Sequence, residues 1–403
     1  MNNSILDKDK KYLLACSFGP DSMAAFHLLL QNGYQFEVAI VNYHLRKESN
    51  LEVKGLIDYC NLHNIELHVL DVKKPITRNI ENECRKIRYN YFKELCEKRR
   101  LLGVIVAHHQ DDLIETYLLQ KHRQNLPEYY GIKEKSIVFG VEVYRPLLDY
   151  KKKDLQDICE QNNVPYMIDL SNLKNAFLRN KIRHEIVEKL DDKNRDKILK
   201  EIAKKNKELE SIFEVINSND IHNIKTLIYF DEITYLYSIN AMVKSVNPRA
   251  SVSKKLALEL LKIIKSDHPN IRLRIPHNLY FVKEYDRVYF EGEKKEISYS
   301  FVIDKPCELD TPYFYLDFRK NTKNRNVNIS DYPLTIRNAN KGDKTKIKDY
   351  EVEVRRLFID WKMPLSIRKR WPVILNKDNE IIYVPRYRSD FVVDKDSNFF
   401  VKI

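Results

Sequence analysis

The chain has 403 residues, 43% of them hydrophobic, which is longer than one domain usually is and too apolar for a disordered chain. Its 70 lysines and arginines exceed its 58 acidic residues, and a formal charge of +12 fits a polyanionic partner, although a basic surface is often only solvated. No apolar run approaches the ~18 residues that cross a bilayer, and the amino terminus lacks a secretory signal, so we expect a cytoplasmic protein.

The first half of the chain alternates short β-branched runs with amphipathic stretches, the pattern of a parallel sheet covered by helices. Strands are predicted at 11–16, 36–43, 66–72 and 104–107, with an extended region at 136–148. Helices are predicted after the first strand and at 51–62, 82–99 and 111–121. The predicted fold of residues 1–190 is therefore α/β, a doubly wound parallel sheet.

The pattern changes after about residue 190. A charged helix at 193–217, a helix at 253–265 and a few short strands predict a small helical domain for residues 191–300. Aromatic strands around a helix near 352–361 predict a C-terminal α+β domain for residues 301–403.

The six cysteines are scattered and form no C-x-x-C pair. This argues against a zinc ribbon, an iron–sulfur site built on paired cysteines, and a dithiol redox centre. We expect reduced and mostly buried thiols.

A short loop joins the first strand to the first helix, and it consists of Ser17, Phe18, Gly19, Pro20, Asp21 and Ser22. A strand–loop–helix turn points backbone N–H groups and a helix N-terminus at one place, where a phosphate binds well. The alternative is a plain turn with a polar helix cap. The loop is neither a Walker A loop nor a Rossmann fingerprint.

A second polar cluster, 108–116, follows the fourth predicted strand directly. Asp112 and Glu115 lie three residues apart, on one face of the helix predicted there, and two carboxylates beside a triphosphate suit Mg²⁺. The alternative is that Asp111 and Asp112 only complement the helix N-terminus. Because the carboxyl ends of strands one and four open on one crevice in a doubly wound sheet, we expect both clusters to share a site.

The loop resembles the S-G-G-x-D-S signature of the PP-loop ATP pyrophosphatases, which bind ATP and transfer AMP to a substrate with release of pyrophosphate. Phe18 stands where that signature has its first glycine. A ring there conflicts with a positive φ, so either the loop is altered or that glycine is not obligatory.

The H-x-x-D-D-x-x-E-T pattern starting at His108 is similar to that of the tRNA(Ile)-lysidine synthetase family within this group. Further segments resemble motifs of that family, and the matches span most of the chain: 42–46, 82–89, 145–148, 169–172, 178–183, 341–343, 355–360 and 370–373.

The resemblance implies ATP and Mg²⁺ as cofactors and a two-step reaction. AMP is transferred to O2 of the cytidine at the wobble position of an isoleucine tRNA with a CAU anticodon, and the ε-amine of free lysine then displaces it to give lysidine. Asp21, Asp112 and Glu115 would bind Mg²⁺ or orient the lysine amine. His108 and Arg88 would contact a phosphate or the adenylated base; the alternative for Arg88 is an ordinary arginine on the helix surface.

The tRNA is expected to contact both later domains and several basic residues, namely Arg179, Asn180, Arg183, Arg355, Arg356 and Arg370. The alternative for Arg179 and Arg183 is pairing with Glu185 and Glu188. No membrane partner is expected, and the oligomeric state is open, with a homodimer among the alternatives.

Three rival functions are weighed against this interpretation. A PP-loop tRNA thiolase would need a pair or cluster of cysteines to handle sulfur, which the sequence lacks. A catalytically inactive basic RNA-binding protein is motivated by Phe18, but the retained acidic residues argue against it. An amidotransferase-type synthetase would need a glutaminase domain and a nucleophilic cysteine, and neither appears.

Overall fold

A computed structural model of the chain describes residues 2–45, 48–73, 79–123, 126–168, 178–293, 297–319, 327–347, 350–387 and 399–402. The chain divides into two compact units, Met1–Ser211 and Ile212–Ile403, and the boundary lies inside a long helix. The predicted division into three domains at about residues 190 and 300 remains a prediction. Over the described part of the chain, no helix is both long and apolar enough to cross a membrane.

The first unit contains a sheet in the strand order β3-β2-β1-β4-β6-β5. Neighbouring strands pair in parallel except β5 and β6, which form an antiparallel hairpin inside the region predicted to be extended. The strands are β1 Lys11–Ala15, β2 Gln35–Asn42, β3 Leu67–Asp71, β4 Val104–Val106, β5 Lys135–Val138 and β6 Val141–Tyr144. The doubly wound α/β fold predicted from the sequence is thus confirmed.

Helices cover both faces of this sheet. One apolar cluster joins the sheet to α1, α2 and α5, and a second joins the opposite face to α3. The helices are α1 Pro20–Gln31, α2 Ser49–Leu62, α3 Ile80–Arg99, α4 Gln110–Arg123, α5 Lys152–Gln161, α6 Leu178–Glu185 and α7 Asp192–Asn217, the last of which crosses into the second unit.

The first strand shows why the sheet is buried on both sides. Tyr12 and Leu14 belong to the cluster with α1 and α2, whereas Leu13 belongs to the cluster with α3. Side chains alternate between the faces of a strand, so a strand covered on both faces reads as a continuous apolar run. The strand order reverses between β1 and β4, and the crevice at their carboxyl ends is where such sheets bind ligands.

A network of charged side chains lies at the amino ends of the strands, opposite to the crevice. Glu37, in β2, is buried, and it accepts hydrogen bonds from Lys11 (2.7 Å), His68 (2.6 Å) and Arg99 (3.0 and 3.1 Å). Burial acts to raise the pKa of the Glu37 carboxyl, but these donors outweigh burial and lower it to about 2. The network links the amino ends of β1, β2 and β3, which are opposite to the carboxyl ends where the crevice lies.

We expect Glu37→Gln to lower the free energy of unfolding by about 2 kcal/mol at neutral pH, because three donors lose a charged acceptor. A carboxyl whose pKa is lowered by folding stabilises the protein above its unfolded pKa near 4.5, and the effect is lost as the pH falls towards about 2. The difference between wild type and variant should therefore shrink below pH 4.5. Urea unfolding followed by circular dichroism measures it, and equal stability at pH 7 would refute the role of the network.

The second unit contains helices α8 to α12, an antiparallel sheet β7-β8-β9, a six-stranded sheet β10-β13-β16-β17-β14-β15 and a small sheet β11-β12-β18. Helices α8, α9 and α12 were not predicted from the sequence. The elements are α8 Ile224–Tyr229, α9 Glu232–Val246, α10 Lys254–Lys265, β7 Asn270–Ile275, β8 Leu279–Glu284, β9 Arg287–Gly292, β10 Ser300–Ile303, β11 Glu308–Asp310, β12 Phe314–Asp317, β13 Leu334–Asn338, β14 Lys344–Ile347, β15 Tyr350–Glu353, α11 Val354–Asp360, α12 Leu365–Arg368, β16 Pro372–Leu375, β17 Ile381–Tyr383 and β18 Phe399–Val401.

Candidate active site

A cavity of about 680 Å³ opens at the carboxyl ends of β1 and β4. This volume is typical of sites for drug-sized ligands and cofactors. The loop after β1 and the start of α4 both line it, which confirms the prediction that the two polar clusters share one crevice. The predicted site residues among its lining are Ser17, Gly19, Pro20, Asp21, Ser22, Arg88, His108, Asp112 and Arg183.

The loop is held from within by Ser22. The Ser22 hydroxyl donates to the carbonyl of Gly19 (3.0 Å) and accepts from the backbone N–H of Ser17 (3.2 Å). Gly19 precedes α1 with an ordinary φ of −84°, and Pro20 begins the helix, where its fixed φ and missing N–H are well tolerated. The first turn of α1 therefore presents its N-terminus to the cavity, as a phosphate site requires.

Phe18 adopts a left-handed backbone conformation, unlike Ser17 and Gly19 on either side of it. Its φ is +60°, so the loop keeps the positive φ although a ring stands in place of glycine. The ring is buried and does not line the cavity. A left-handed residue with a Cβ costs about 1–2 kcal/mol, whereas losing a buried phenylalanine ring costs about 3–5 kcal/mol, so burial of the ring outweighs the strain. The conflict between ring and φ expected from the sequence is resolved in this way.

Two carboxylates of the cavity flank one imidazole. Nε2 of His109 lies 3.6 Å from Oδ2 of Asp21 and 3.5 Å from Oδ2 of Asp112, and the backbone N–H of His109 donates to Asp112 (3.1 Å). Burial acts to lower the pKa of His109, but the two carboxylates outweigh burial and raise it. His109 was not singled out from the sequence, although its place beside His108 and three residues before Asp112 was a usable signal.

Asp21 and Asp112 have the properties of cation ligands. Oδ1 of Asp21 is buried and has no hydrogen-bond partner among the described residues. Burial acts to raise the pKa of Asp112, but His109 and Arg183 outweigh burial and lower it, so its carboxyl is ionised. A buried carboxyl oxygen without a partner, beside the same imidazole as the ionised carboxylate of Asp112, fits a hard cation such as Mg²⁺.

Glu115 is placed differently from the expectation that it binds metal together with Asp112. Its side chain is fully buried and does not line the cavity, and its two oxygens accept hydrogen bonds from Arg179 and from Nε of Arg183 (2.8 Å). Arg183 also donates to Asp112 (3.0 Å). Both oxygens of Glu115 thus have charged partners, whereas Oδ1 of Asp21 has no hydrogen-bond partner among the described residues.

The same contacts decide between the alternatives for the two arginines of α6. Arg179 and Arg183 pair with the carboxylates of α4, whereas Glu185 pairs with Lys181 and Glu188 with His184. Pairing of Arg179 and Arg183 with Glu185 and Glu188 was therefore the wrong alternative. Their side chains are partly exposed, and their contact with RNA remains a prediction.

His108 points one ring nitrogen at a buried arginine. Its Nδ1 accepts a hydrogen bond from Nε of Arg145 (3.1 Å), and Arg145 is held by the carbonyl of Lys133 (2.8 Å) and the hydroxyl of Ser136 (2.9 Å). Burial, together with the charge of Arg145, lowers the pKa of His108 to about 4, against the opposing effect of Asp112. The imidazole is thus neutral and carries its proton on Nε2, which makes it a hydrogen-bond donor. Arg145 was quoted from the sequence without a role.

Helix α3 supplies cations to the far wall of the cavity. Arg88 lies over the ring of Tyr43, 5.9 Å from its centroid, and Arg85 lies over Tyr89 at 4.8 Å. Arg85 and Arg88 both line the cavity, and Arg85 was not singled out from the sequence. Arg88 lines the cavity but is exposed, so both its predicted role and the alternative of an ordinary surface arginine remain open.

The remaining predicted residues lie elsewhere. Arg355 and Arg356 are exposed on α11, and Arg370 is half-buried before β16, all in the second unit. The side chain of Asn180 and the motif at 169–172 lie outside the described residues.

The cysteines are free thiols, and Cys16 lines the cavity. Burial raises the pKa of Cys16 to about 11 and that of Cys60 and Cys96 to about 12. A thiol with a raised pKa is a poor nucleophile and metal ligand. The expectation of reduced and mostly buried thiols is confirmed.

Comparison with known proteins places the first unit in a class. Residues 1–190 match the family described as ATP_bind_3, PP-loop domain. The fold of this part of the chain is therefore that of a PP-loop domain.

Relatives extend the match over nearly the whole chain. A tRNA(Ile)-lysidine synthase of Mycoplasma mycoides subsp. mycoides SC is 29% identical and aligns with 94% of this chain and 97% of its own length. One of Staphylococcus aureus (strain N315) is 27% identical, with 95% of each chain covered. One of Ureaplasma parvum serovar 3 is 36% identical over 43% of this chain and 54% of its own length. The chain is thus similar over nearly its whole length to proteins named tRNA(Ile)-lysidine synthase, and its first 190 residues match the PP-loop domain.

Proposed function

We propose that this protein is an ATP-dependent ligase that adenylates the wobble cytidine of an isoleucine tRNA with a CAU anticodon and attaches lysine to it, with release of AMP and pyrophosphate. One observation carries the proposal: the loop after β1 and the acidic start of α4 line one cavity of nucleotide size. The relatives named tRNA(Ile)-lysidine synthase, which align over almost the full chain, supply the substrate class.

The nucleotide is proposed to bind with its phosphates at the N-terminus of α1. Backbone N–H groups of the loop and the helix dipole favour negative charge there. Apolar side chains at the carboxyl end of β2, Ile40 and Val41, line the cavity and offer a surface for the base. Asp21 and Asp112 would hold Mg²⁺, which would supply positive charge next to the phosphates when bound.

In the first step, O2 of the cytidine attacks the α-phosphorus of ATP, a P–O bond forms, and the bond to pyrophosphate breaks. Charge accumulates on the leaving pyrophosphate, and the guanidiniums of Arg85 and Arg88 face the cavity where they stabilise it. The neutral His108 offers its Nε2–H to a phosphate oxygen or to the adenylated base. Arg145 fixes this tautomer because it donates to the other ring nitrogen.

In the second step, the ε-ammonium of lysine loses a proton to solvent and the free amine attacks C2 of the cytosine ring. A C–N bond forms, the C2–O bond breaks so that AMP leaves with the oxygen, and the extra proton on the attacking nitrogen passes to solvent. The carboxylates beside the cavity attract the cationic amino acid. Asp112 has a lowered pKa, and a carboxylate of low pKa is a good ligand for a cation but a weak base. We therefore propose that Asp112 binds and positions a cationic group, and that it does not remove the proton of the amine.

The thiolase alternative is disfavoured by the thiols themselves. Cys16 reaches the cavity, yet its raised pKa keeps it protonated at neutral pH, and a sulfur carrier must ionise to accept or transfer sulfur.

Incubation of the protein with radiolabelled lysine, ATP, Mg²⁺ and a CAU-anticodon isoleucine tRNA tests the proposal. We expect label in the tRNA, one AMP released for each lysine attached, and no label in a tRNA whose wobble cytidine is replaced by uridine. A parallel reaction with a sulfur donor in place of lysine is the control. Thiolation without lysine incorporation would reject the proposal in favour of the thiolase.

A further inference from the structure

The ring of Phe18 lies directly against the backbone of α2 at Gly55. A Cβ added to Gly55 would lie 2.5 Å from Cζ and 2.6 Å from Cε1 of Phe18, closer than non-bonded carbons approach. Gly55 stands in the middle of a 14-residue helix, where glycine is less favourable than alanine. A packing reason for this glycine is therefore expected, and the ring of Phe18 supplies it.

The Phe18 ring cannot easily move aside to make room for a Cβ at position 55. It is 5% exposed and belongs to the same apolar cluster as Leu56 and Tyr59 of α2. Its backbone is fixed as well, since φ is +60° and the carbonyl of Phe18 accepts a hydrogen bond from the N–H of Met167 (2.9 Å). Met167 itself lines the cavity. A displaced ring would consequently move the loop, the segment after α5, or both.

We infer that Gly55 is a positioning residue for the nucleotide loop, and that it acts through Phe18. The ring, seated on the bare backbone of α2, anchors the residue between Ser17 and Gly19, so that the N-terminus of α1 stays open to the cavity. Gly55 lies outside the cavity lining. This inference rests on the proposed function, because it assigns the anchored loop to ATP.

A double-mutant cycle tests the pair. Gly55→Ala should raise the Kd and KM for ATP about tenfold or more, because a shift near 1 Å in a binding group is costly, with kcat at saturating ATP and the affinity for tRNA within about twofold of wild type. Phe18→Gly removes the ring and restores freedom of φ. In the Phe18→Gly background, Gly55→Ala should cause no further loss of ATP affinity. Gly292→Ala, at a position with nothing within 4 Å of the added Cβ, is the control substitution.

The outcomes separate this inference from the proposed function. Wild-type ATP affinity in Gly55→Ala, or an equal loss in both backgrounds, would overturn the inference. If the wild-type protein binds no ATP, the proposed function fails. The same double-mutant cycle is then measured by the melting temperatures, Tm, of the four proteins. Non-additive Tm changes would then support the Phe18–Gly55 contact as an anchor of a loop with another ligand, whereas additive changes would refute it.

Discussion

Asp112→Ala is expected to lower lysine incorporation by about 10³-fold or more while the affinity for tRNA stays within about twofold of wild type. Asp112 lines the cavity, accepts from Arg183 and lies against His109. In the proposed role Asp112 would hold the cation beside the phosphates, and alanine has no oxygen with which to do so. The fold should survive, because Arg183 keeps Glu115 as a partner and His109 keeps Asp21.

Asp112→Asn provides a second variant with the same shape and no charge, and it should lose activity nearly as strongly. Asp58→Ala, an exposed acid on α2, is the matched control for removal of a negative charge and should retain activity. Lysine incorporation and tRNA binding by filter retention are the measurements. Turnover close to wild type in either Asp112 variant would contradict the assigned role.

Reversal of two exposed charges in the second unit, Arg355→Glu with Arg356→Glu, should weaken tRNA binding by about tenfold or more near 0.1 M salt. Both side chains are exposed on α11, where a phosphate backbone could reach them. Each phosphate contact that is lost reduces the slope of log K against log salt by about 0.7–0.9. The double variant should therefore flatten the salt dependence by about 1.5, with the Kd for ATP unchanged.

Lys8→Glu with Lys10→Glu is the matched control, because it makes the same change in charge just before β1, at the end of the sheet away from the cavity. A similar loss of tRNA affinity in the control would mean that net charge alone, and not α11, attracts the tRNA. Fluorescence anisotropy of labelled tRNA over a range of salt concentrations distinguishes attraction by net charge from attraction by α11.

The shared site was predictable because it follows from topology. A loop after the first strand and an acidic helix start after the fourth strand must meet if the sheet reverses its strand order between them, and the structure has that order. The identities of Asp21 and Asp112 as cavity residues followed directly. Helix boundaries moved by one or two residues without consequence, as at α4, which begins at Gln110 instead of Asp111.

The partners of the carboxylates were not predictable from one sequence. Glu115 shares a helix face with Asp112, but α6 comes about 60 residues later and brings Arg179 and Arg183 onto that face through tertiary packing. The contact between Phe18 and Gly55 was also not predictable, because the sequence around a helical glycine does not indicate which distant side chain packs against it.

Isothermal titration calorimetry of ATP against the full chain, with and without Mg²⁺, tests most directly whether the two motifs form a single magnesium–nucleotide site. We expect one ATP to bind per chain with Mg²⁺ present, tighter than in EDTA, and both Asp21→Asn and Asp112→Asn to abolish the advantage that Mg²⁺ gives. No heat of ATP binding in wild type, or a magnesium effect that is unchanged in both variants, would contradict the shared site.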